Sequence, residues 1–143
     1  MTAGDEAMWD LYAGARIDCT IDGRARRLRG PDAEPLPAPA PIFVLTAYNP
    51  GGVERDRALN DAAEEELESR LASAGTTFWP ARGRSPDASW SEPGVAVAGF
   101  DRAQACELGR RYGQLAVYEL TEHEVHVVQC FDGAVVRTRV RGE

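Results

Sequence analysis

Neutral hydrogen-bonding side chains stand where the apolar segments of this chain end. Thr46, Tyr48 and Asn49 follow an uncharged apolar run and lead into an Asn-Pro-Gly-Gly turn. Asn60 begins the apolar stripe of a predicted helix, and Gln114 follows a second predicted helix. Amide and hydroxyl groups of this kind can bind the polar edge of a nucleobase, an amide or a sugar. They can equally form a structural network that bonds to buried backbone at the turn, and the residues alone leave both interpretations open.

A second polar group surrounds Glu92. Trp90 and Pro93 flank this glutamate, and apolar neighbours raise the pKa of a carboxyl group, which suits a general acid or base. Arg82 and Arg84 in the same segment could hold an anionic group. The alternative interpretation is a surface glutamate at the start of a strand.

No motif indicates a metal or a cofactor. His126 and Cys130 lie four positions apart on a predicted strand, roughly 13 Å from each other at normal strand rise, which is too far to share a metal ion. His123 falls in a predicted turn. Glycine-rich phosphate loops, dinucleotide fingerprints and Ser-His-Asp spacings are not found, so we expect neither a metal site nor a cofactor.

Composition narrows the class of partner. The 143 residues carry a net charge of −7, which disfavours a general nucleic-acid binder, because such binding depends on neutralising phosphates. Three cysteines without CxxC spacing favour reduced thiols over a disulfide framework. The acidic N-terminus is not followed by a long apolar run, so we expect no signal peptide and no membrane span. These features together predict a soluble cytoplasmic protein.

The pattern of apolar, proline and turn residues predicts one domain over 1–143. Its parts are an N-terminal helix and β-ribbon over 1–30, a proline-rich connector over 31–41, a core over 42–120 and a C-terminal β-hairpin over 121–143. The predicted core elements are a strand from Ile42, a helix over 57–74, a strand over 76–81, a polar loop over 82–93, a strand over 95–100, a helix over 101–113 and a strand over 114–120. This order predicts a ferredoxin-like βαββαβ fold, an α+β fold with an antiparallel or mixed sheet and its helices on one face.

The predicted fold places the polar groups at two edges of the sheet. With the first and third core strands as a central, parallel pair, Asn49 and Gln114 share one edge and Asn60 can face them, while Glu92 lies at the opposite edge. The helix over 57–74 is expected to bury Asn60, Ala63, Leu67, Leu71 and Ala74 and to expose Glu64, Glu65 and Glu68. The second face of the sheet must be covered by the N-terminal helix, through Trp9, or by a second subunit.

Several segments resemble a known family when they are taken together in order. They are Leu45-Thr46-Ala47-Tyr48-Asn49-Pro50, Asn60, Gly83, Trp90-Ser91-Glu92-Pro93 and Tyr112-Gly113-Gln114-Leu115-Ala116-Val117. This combination, within 42–130, resembles a bacterial family known only as domain of unknown function 3293. The family pattern has serine after the Glu-Pro pair, whereas this chain has Gly94; if that serine is a nucleophile, this chain lacks it. The resemblance implies no activity.

Three functional hypotheses follow, and the sequence does not decide whether the protein is an enzyme. The first is a binding domain for a polar small molecule, for example a nucleotide-like one. Its main contacts would be Thr46, Asn49, Asn60 and Gln114, and its further contacts Tyr48, Trp90, Arg82 and Arg84. The second is a metal-independent hydrolase or transferase with Glu92 as general acid or base. The third is a homodimeric interaction or regulatory module that uses an uncovered face of the sheet.

Overall fold

The computed structural model describes residues 3–143, which form one eight-stranded sheet and three α-helices. The helices are α1 (Ala3–Ala13), α2 (Arg57–Ser73) and α3 (Arg102–Arg111), and a 3-10 turn spans Pro50–Gly52. The strands are β1 (Arg16–Ile21), β2 (Arg24–Arg29), β3 (Ile42–Leu45), β4 (Phe78–Arg84), β5 (Ser91–Val97), β6 (Ala116–Leu120), β7 (Glu124–Gln129) and β8 (Val135–Val140). Their order across the sheet is β2-β1-β4-β5-β3-β6-β7-β8, and every neighbouring pair is antiparallel.

The prediction of a ferredoxin-like βαββαβ core is wrong. The two strands expected to form a parallel pair, β3 and β5, are neighbours but run antiparallel, with Phe43 opposite Val97 and Leu45 opposite Val95. The N-terminal ribbon and the C-terminal hairpin are not additions outside a four-stranded core. They extend the same sheet on both sides, because β1 pairs with β4 and β7 pairs with β6.

A long hairpin of β4 and β5 replaces the predicted polar loop. Strand β4 continues to Arg84 and β5 begins at Ser91, so only residues 85–90 form the turn. The segment lacks the apolar alternation of a half-buried strand because Gly83 and Glu92, which pair across the hairpin, line an open pocket instead of a packed core. Pro80 lies just outside the part of β4 that pairs with β1, a position where a residue without an N–H is tolerated.

Helices α2 and α3 pack on one face of the sheet. Its buried contacts are Phe43, Leu45, Val95 and Val97 from the strands, Leu67 and Leu71 from α2, and Ala105 and Leu108 from α3. The side chain of Asp56 accepts a hydrogen bond from the backbone N–H of Ala58 and so caps α2. Within residues 3–143, no helix is both long and apolar enough to cross a membrane.

The buried stripe of α2 differs from the predicted one. It consists of Asn60, Glu64, Leu67 and Leu71. Glu64, which we expected on the solvent face, is only 7% exposed, whereas Ala74 beyond the helix end is exposed. The helix therefore presents two polar residues and two leucines to the sheet, and the polar pair lies next to the end of β3.

The other face of the sheet is curled like half of a barrel. At one corner its two edge strands approach, and the backbone N–H of Gly30 donates to the carbonyl of Arg141 at 2.9 Å. The Arg141 guanidinium donates to the carbonyls of Leu28 and Glu34 at 3.0 and 2.8 Å. Helix α1 covers part of this face through Trp9, and the proline-rich connector covers another part through Leu36 and Ala38. The homodimer hypothesis relied on an uncovered face, so its structural premise is weakened.

Candidate functional site

A pocket of about 400 Å³ opens on the curled face of the sheet, beside the end of β3. Its apolar lining comes mainly from Ile17, Val44, Ala116, Tyr118 and Val127. Its polar lining includes Asn49, Glu54, Arg82, Glu92 and Gln114, and the aromatic residues Tyr12, Tyr48 and Trp90 also line it. The cavity thus combines an apolar interior with a small number of polar groups, as small-molecule sites do.

Two glycines leave the hairpin wall of this pocket without side chains. A Cβ added at Gly83 would lie 3.6 Å from the Trp90 ring, so the indole covers the strand at this point. A Cβ added at Gly94 would lie only 2.5 Å from the carbonyl oxygen of Leu45. The backbone of β5 therefore has no room for a serine where the family pattern has one.

Asn49 holds the turn after β3 in place with its side chain. Its backbone is left-handed, with φ 46° and ψ 63°, a conformation that asparagine tolerates better than most residues. Its Oδ1 accepts hydrogen bonds from Asn60 Nδ2 at 2.8 Å and from the backbone N–H of Arg55 at 3.1 Å. Asn60 Oδ1 in turn accepts from the Asn49 backbone N–H at 2.9 Å. These bonds fix the amide so that Asn49 Nδ2 donates to Glu92 Oε1 at 2.9 Å.

Glu92 lies beside Asn49 and not at the opposite edge of the sheet. Because β3 and β5 are antiparallel, the start of β5 is next to the end of β3, so the two polar groups predicted at different edges form one site. Burial raises the pKa of the Glu92 carboxyl, and hydrogen bonds from Asn49 and Trp90 offset part of this effect. The pKa of Tyr12 is raised by burial and by the Glu92 charge.

Thr46 lines the pocket, and Glu64 is buried next to it. The Thr46 hydroxyl lies 2.6 Å from the carbonyl oxygen of Pro93 and 3.2 Å from Glu64 Oε1, and it can donate its one proton to either. Glu64 Oε1 accepts the backbone N–H of Ala47 at 2.8 Å, but Oε2 is buried with no hydrogen-bond partner. Burial raises the pKa of Glu64 to about 7. The helical spacing of Glu64 from Asn60, Leu67 and Leu71 is the sequence signal that could have predicted its burial.

Gln114 connects the start of β6 to the Asn49 turn. Its Nε2 donates to the carbonyl of Tyr48 at 2.9 Å and to that of Tyr112 at 3.3 Å. Gly51 N–H donates to the carbonyl of Gly113 at 2.8 Å, which tightens the same junction. Tyr48 also lines the pocket, while its hydroxyl donates to Asp61 on the exposed side of α2.

Three residues predicted to contact a ligand are not free lining residues of the pocket. Arg84 forms a salt bridge with Asp18 at 2.7 Å and does not line the pocket. Asn60 is buried behind Asn49 and does not line it either. Arg82 does line the pocket, but it is exposed and donates to the Ser91 hydroxyl at 2.7 Å.

Two tyrosines of the pocket were missed as site residues. Tyr118 donates from its hydroxyl to the carbonyl of Tyr12 at 2.8 Å, which links β6 to the end of α1. Tyr12 is one of the apolar residues at helical spacing in the N-terminal helix. This pattern predicts that Tyr12 is buried but not which part of the fold it contacts. Only the curl of the sheet brings α1 to the pocket.

The histidines and cysteines do not converge. His126 Nδ1 is 2.8 Å from the Thr138 hydroxyl, while Cys130 is buried near Cys106. Among the residues that the structure describes, no three histidine, cysteine or acidic side chains are arranged to hold a metal ion.

Residues 45–117, just over half of the chain, match the model of the family described as "Protein of unknown function (DUF3293)". The chain belongs to this family, and the resemblance found in the sequence is confirmed. No curated protein and no solved structure matches the chain. The matched region contains Asn49, Glu92 and Gln114, so the polar part of the pocket lies within the part of the chain that defines the family.

Proposed function

We propose that this DUF3293 protein binds a small molecule in the pocket beside Asn49 and Glu92. The observation that carries the proposal is a half-buried carboxylate, held by Asn49, in the wall of a cavity of about 400 Å³. Cavities of roughly 300 to 1,000 Å³ with an apolar lining and few polar groups are typical of small-molecule sites.

The hydrogen-bond inventory separates residues that support the site from residues that can contact a ligand. The Asn49 amide has donors at its oxygen and Glu92 at its nitrogen, so it positions the carboxylate. Glu92 accepts a hydrogen bond from Asn49 Nδ2 at 2.9 Å, and a carboxylate has about four acceptor positions. Acceptor capacity therefore remains at Glu92, which supports a ligand with N–H or O–H donors on an apolar body.

The proposal is tested by finding a ligand and then filling the pocket. Native mass spectrometry of gently purified protein, combined with melting-temperature shifts across a metabolite library, detects binding. Gly83→Val places a side chain beside Trp90 without a close clash and should abolish the bound mass and the shifts. The matched control is Gly142→Val, because a Cβ there meets nothing within 4 Å. Ligand binding that survives Gly83→Val unchanged would place the ligand elsewhere, and no binding by the wild type would contradict the proposal.

A second candidate function is metal-independent hydrolysis or group transfer with Glu92 as general acid or base. The raised pKa of Glu92 in an open pocket favours it. Arg82 is the remaining candidate for an anionic group, since Arg84 is paired with Asp18. With an identified ligand, Glu92→Gln distinguishes the two: an enzyme loses turnover of a molecule it still binds, whereas a binding protein shows no turnover in either form.

A further inference from the structure

We infer that the ligand of this pocket is a small organic cation, an amine or amidinium carried on an apolar or aromatic body. The inference rests on the binding function proposed above and names the class of ligand. It follows from the charge balance around Glu92, the rings that line the pocket and the fixed orientation of the carboxylate.

Glu92 differs from the other partly buried acids that the sheet carries. Asp18 contacts Arg27 at 2.6 Å and Arg84 at 2.7 Å, and Glu119 contacts Arg102 at 2.6 Å. For Glu92 the structure records no salt bridge within residues 3–143, although the chain has 16 basic residues. Buried charges are normally paired, and a cationic ligand would complete the missing pair.

The remaining lining favours positive charge over negative charge. Glu54 is a second carboxylate beside the pocket, and Arg82 is its one basic lining residue among those described. The Arg82 side chain is exposed and donates to Ser91, so it can turn toward water when a cation enters. The side chains of Tyr12 and Trp90 lie at this pocket, Tyr12 near Glu92 and the Trp90 ring over Gly83, and aromatic faces attract cations within about 6 Å.

The carboxylate of Glu92 is also held ready for a paired interaction. Asn49 fixes Oε1, and Asn49 is itself fixed by Asn60 and Arg55. An amidinium presents two parallel N–H donors that match the two oxygens of a carboxylate. Because the protein has already ordered this carboxylate, binding costs less side-chain entropy than it would at a mobile carboxylate.

The test compares benzamidine with benzamide, which have nearly the same shape and differ in charge. Binding is followed through the indole N–H resonance of Trp90, with Trp79 as an internal reference outside the pocket lining. We expect benzamidine to shift the Trp90 resonance and to bind at least about tenfold more tightly than benzamide. Glu92→Gln should remove this preference, while Glu107→Gln, on the exposed side of α3, should retain it.

Each other outcome overturns the inference. Equal binding of the two compounds, or a benzamidine preference that Glu92→Gln leaves intact, would show that the carboxylate does not select a cation. If neither compound binds at millimolar concentration, and an alkylamine such as hexylamine does not bind either, organic cations are not ligands of this pocket and the inference is wrong. A neutral or anionic molecule lost on Gly83→Val would refute the cationic class while supporting the binding function, whereas absence of any pocket ligand would refute both. Retention of the wild-type melting temperature shows that the Glu92→Gln variant is folded.

Discussion

Replacing Glu64 with glutamine should change how the stability of this protein depends on pH. The Glu64 pKa is raised from 4.5 to about 7 in the folded protein, chiefly by burial. The folded state therefore holds this proton more tightly than the unfolded state does, so the free energy of unfolding falls as pH rises from about 4.5 to about 7 and then levels. One pKa unit corresponds to about 1.4 kcal/mol, so the loss through Glu64 is about 3 kcal/mol.

Glutamine reproduces the protonated form of Glu64 in two respects. Its oxygen can still accept the Ala47 N–H, and its amide nitrogen, like the protonated oxygen, carries no negative charge at the buried Oε2 position. We therefore expect Glu64→Gln to match the wild type near pH 4.5 and to exceed it by about 3 kcal/mol above pH 7. Asp and Glu side chains that are exposed on the same helix offer a control, and we choose Glu65→Gln.

Urea denaturation followed by tryptophan fluorescence at several pH values between 4.5 and 8 measures the difference. The profile of the variant is subtracted from that of the wild type, which cancels the groups common to both that do not interact with Glu64. Glu68 and Glu92, whose charges act on Glu64, remain in the difference as part of its electrostatic environment. Parallel profiles across this range would refute the reasoning. So would a Glu64→Gln variant less stable than the wild type at pH 8, since it would mean that an ionised Glu64 is favourably bound.

Two further substitutions test the framework of the pocket. Gly94→Ser should lower the free energy of unfolding by about 1 to 3 kcal/mol, because the serine Cβ would lie 2.5 Å from the Leu45 carbonyl oxygen. Thermal denaturation measures the change. An unchanged melting temperature would contradict the close approach of β5 to β3. Asn60→Ala should lower the free energy of unfolding by about 1 to 3 kcal/mol, because it leaves the partly buried N–H donors of Asn49 and Arg55 without their acceptor. In a binding assay it should also weaken any pocket ligand, and an intact affinity would separate Asn60 from the site.

The individual elements could be predicted from local sequence signals. Asp101 and Gln104 form a capping box at the start of α3, the helix predicted over 101–113, with each side chain accepting the other's backbone N–H. The helix expected over 57–74 is α2, Arg57–Ser73. Such signals involve neighbouring residues and depend little on the rest of the fold, which explains why they survive an incorrect topology.

The topology could not be predicted because pairing is decided by contacts distant in sequence. The residues of β3 and of the buried end of β5 do not indicate whether the two strands run parallel or antiparallel, since both segments are buried on two faces. The hairpin of β4 and β5 lacked apolar alternation because one of its faces lines a pocket. Sequence rules are expected to fail at functional sites of this kind.

The sequence predicted most residues of the candidate site but not how they are arranged. Asn49, Gln114 and Glu92 were all selected from the sequence, yet they were assigned to two edges, and the antiparallel pair joins them. Glu64 was missed because a run of glutamates normally forms a solvated helix face. A spacing of four residues from Asn60 and three from Leu67 placed it on the buried stripe.

The stripe of α2 is shared between the core and the site. Leu67 and Leu71 pack into the core with less than 3% exposure, while Asn60 and Glu64 bond to the backbone at 49 and 47 respectively. Apolar residues at these two positions would extend the core but would leave the turn after β3 without its hydrogen-bond partners. A buried polar pair with one unpartnered oxygen is a cost in stability. This destabilising arrangement occurs where the turn holds Asn49, and through it Glu92, in a single orientation.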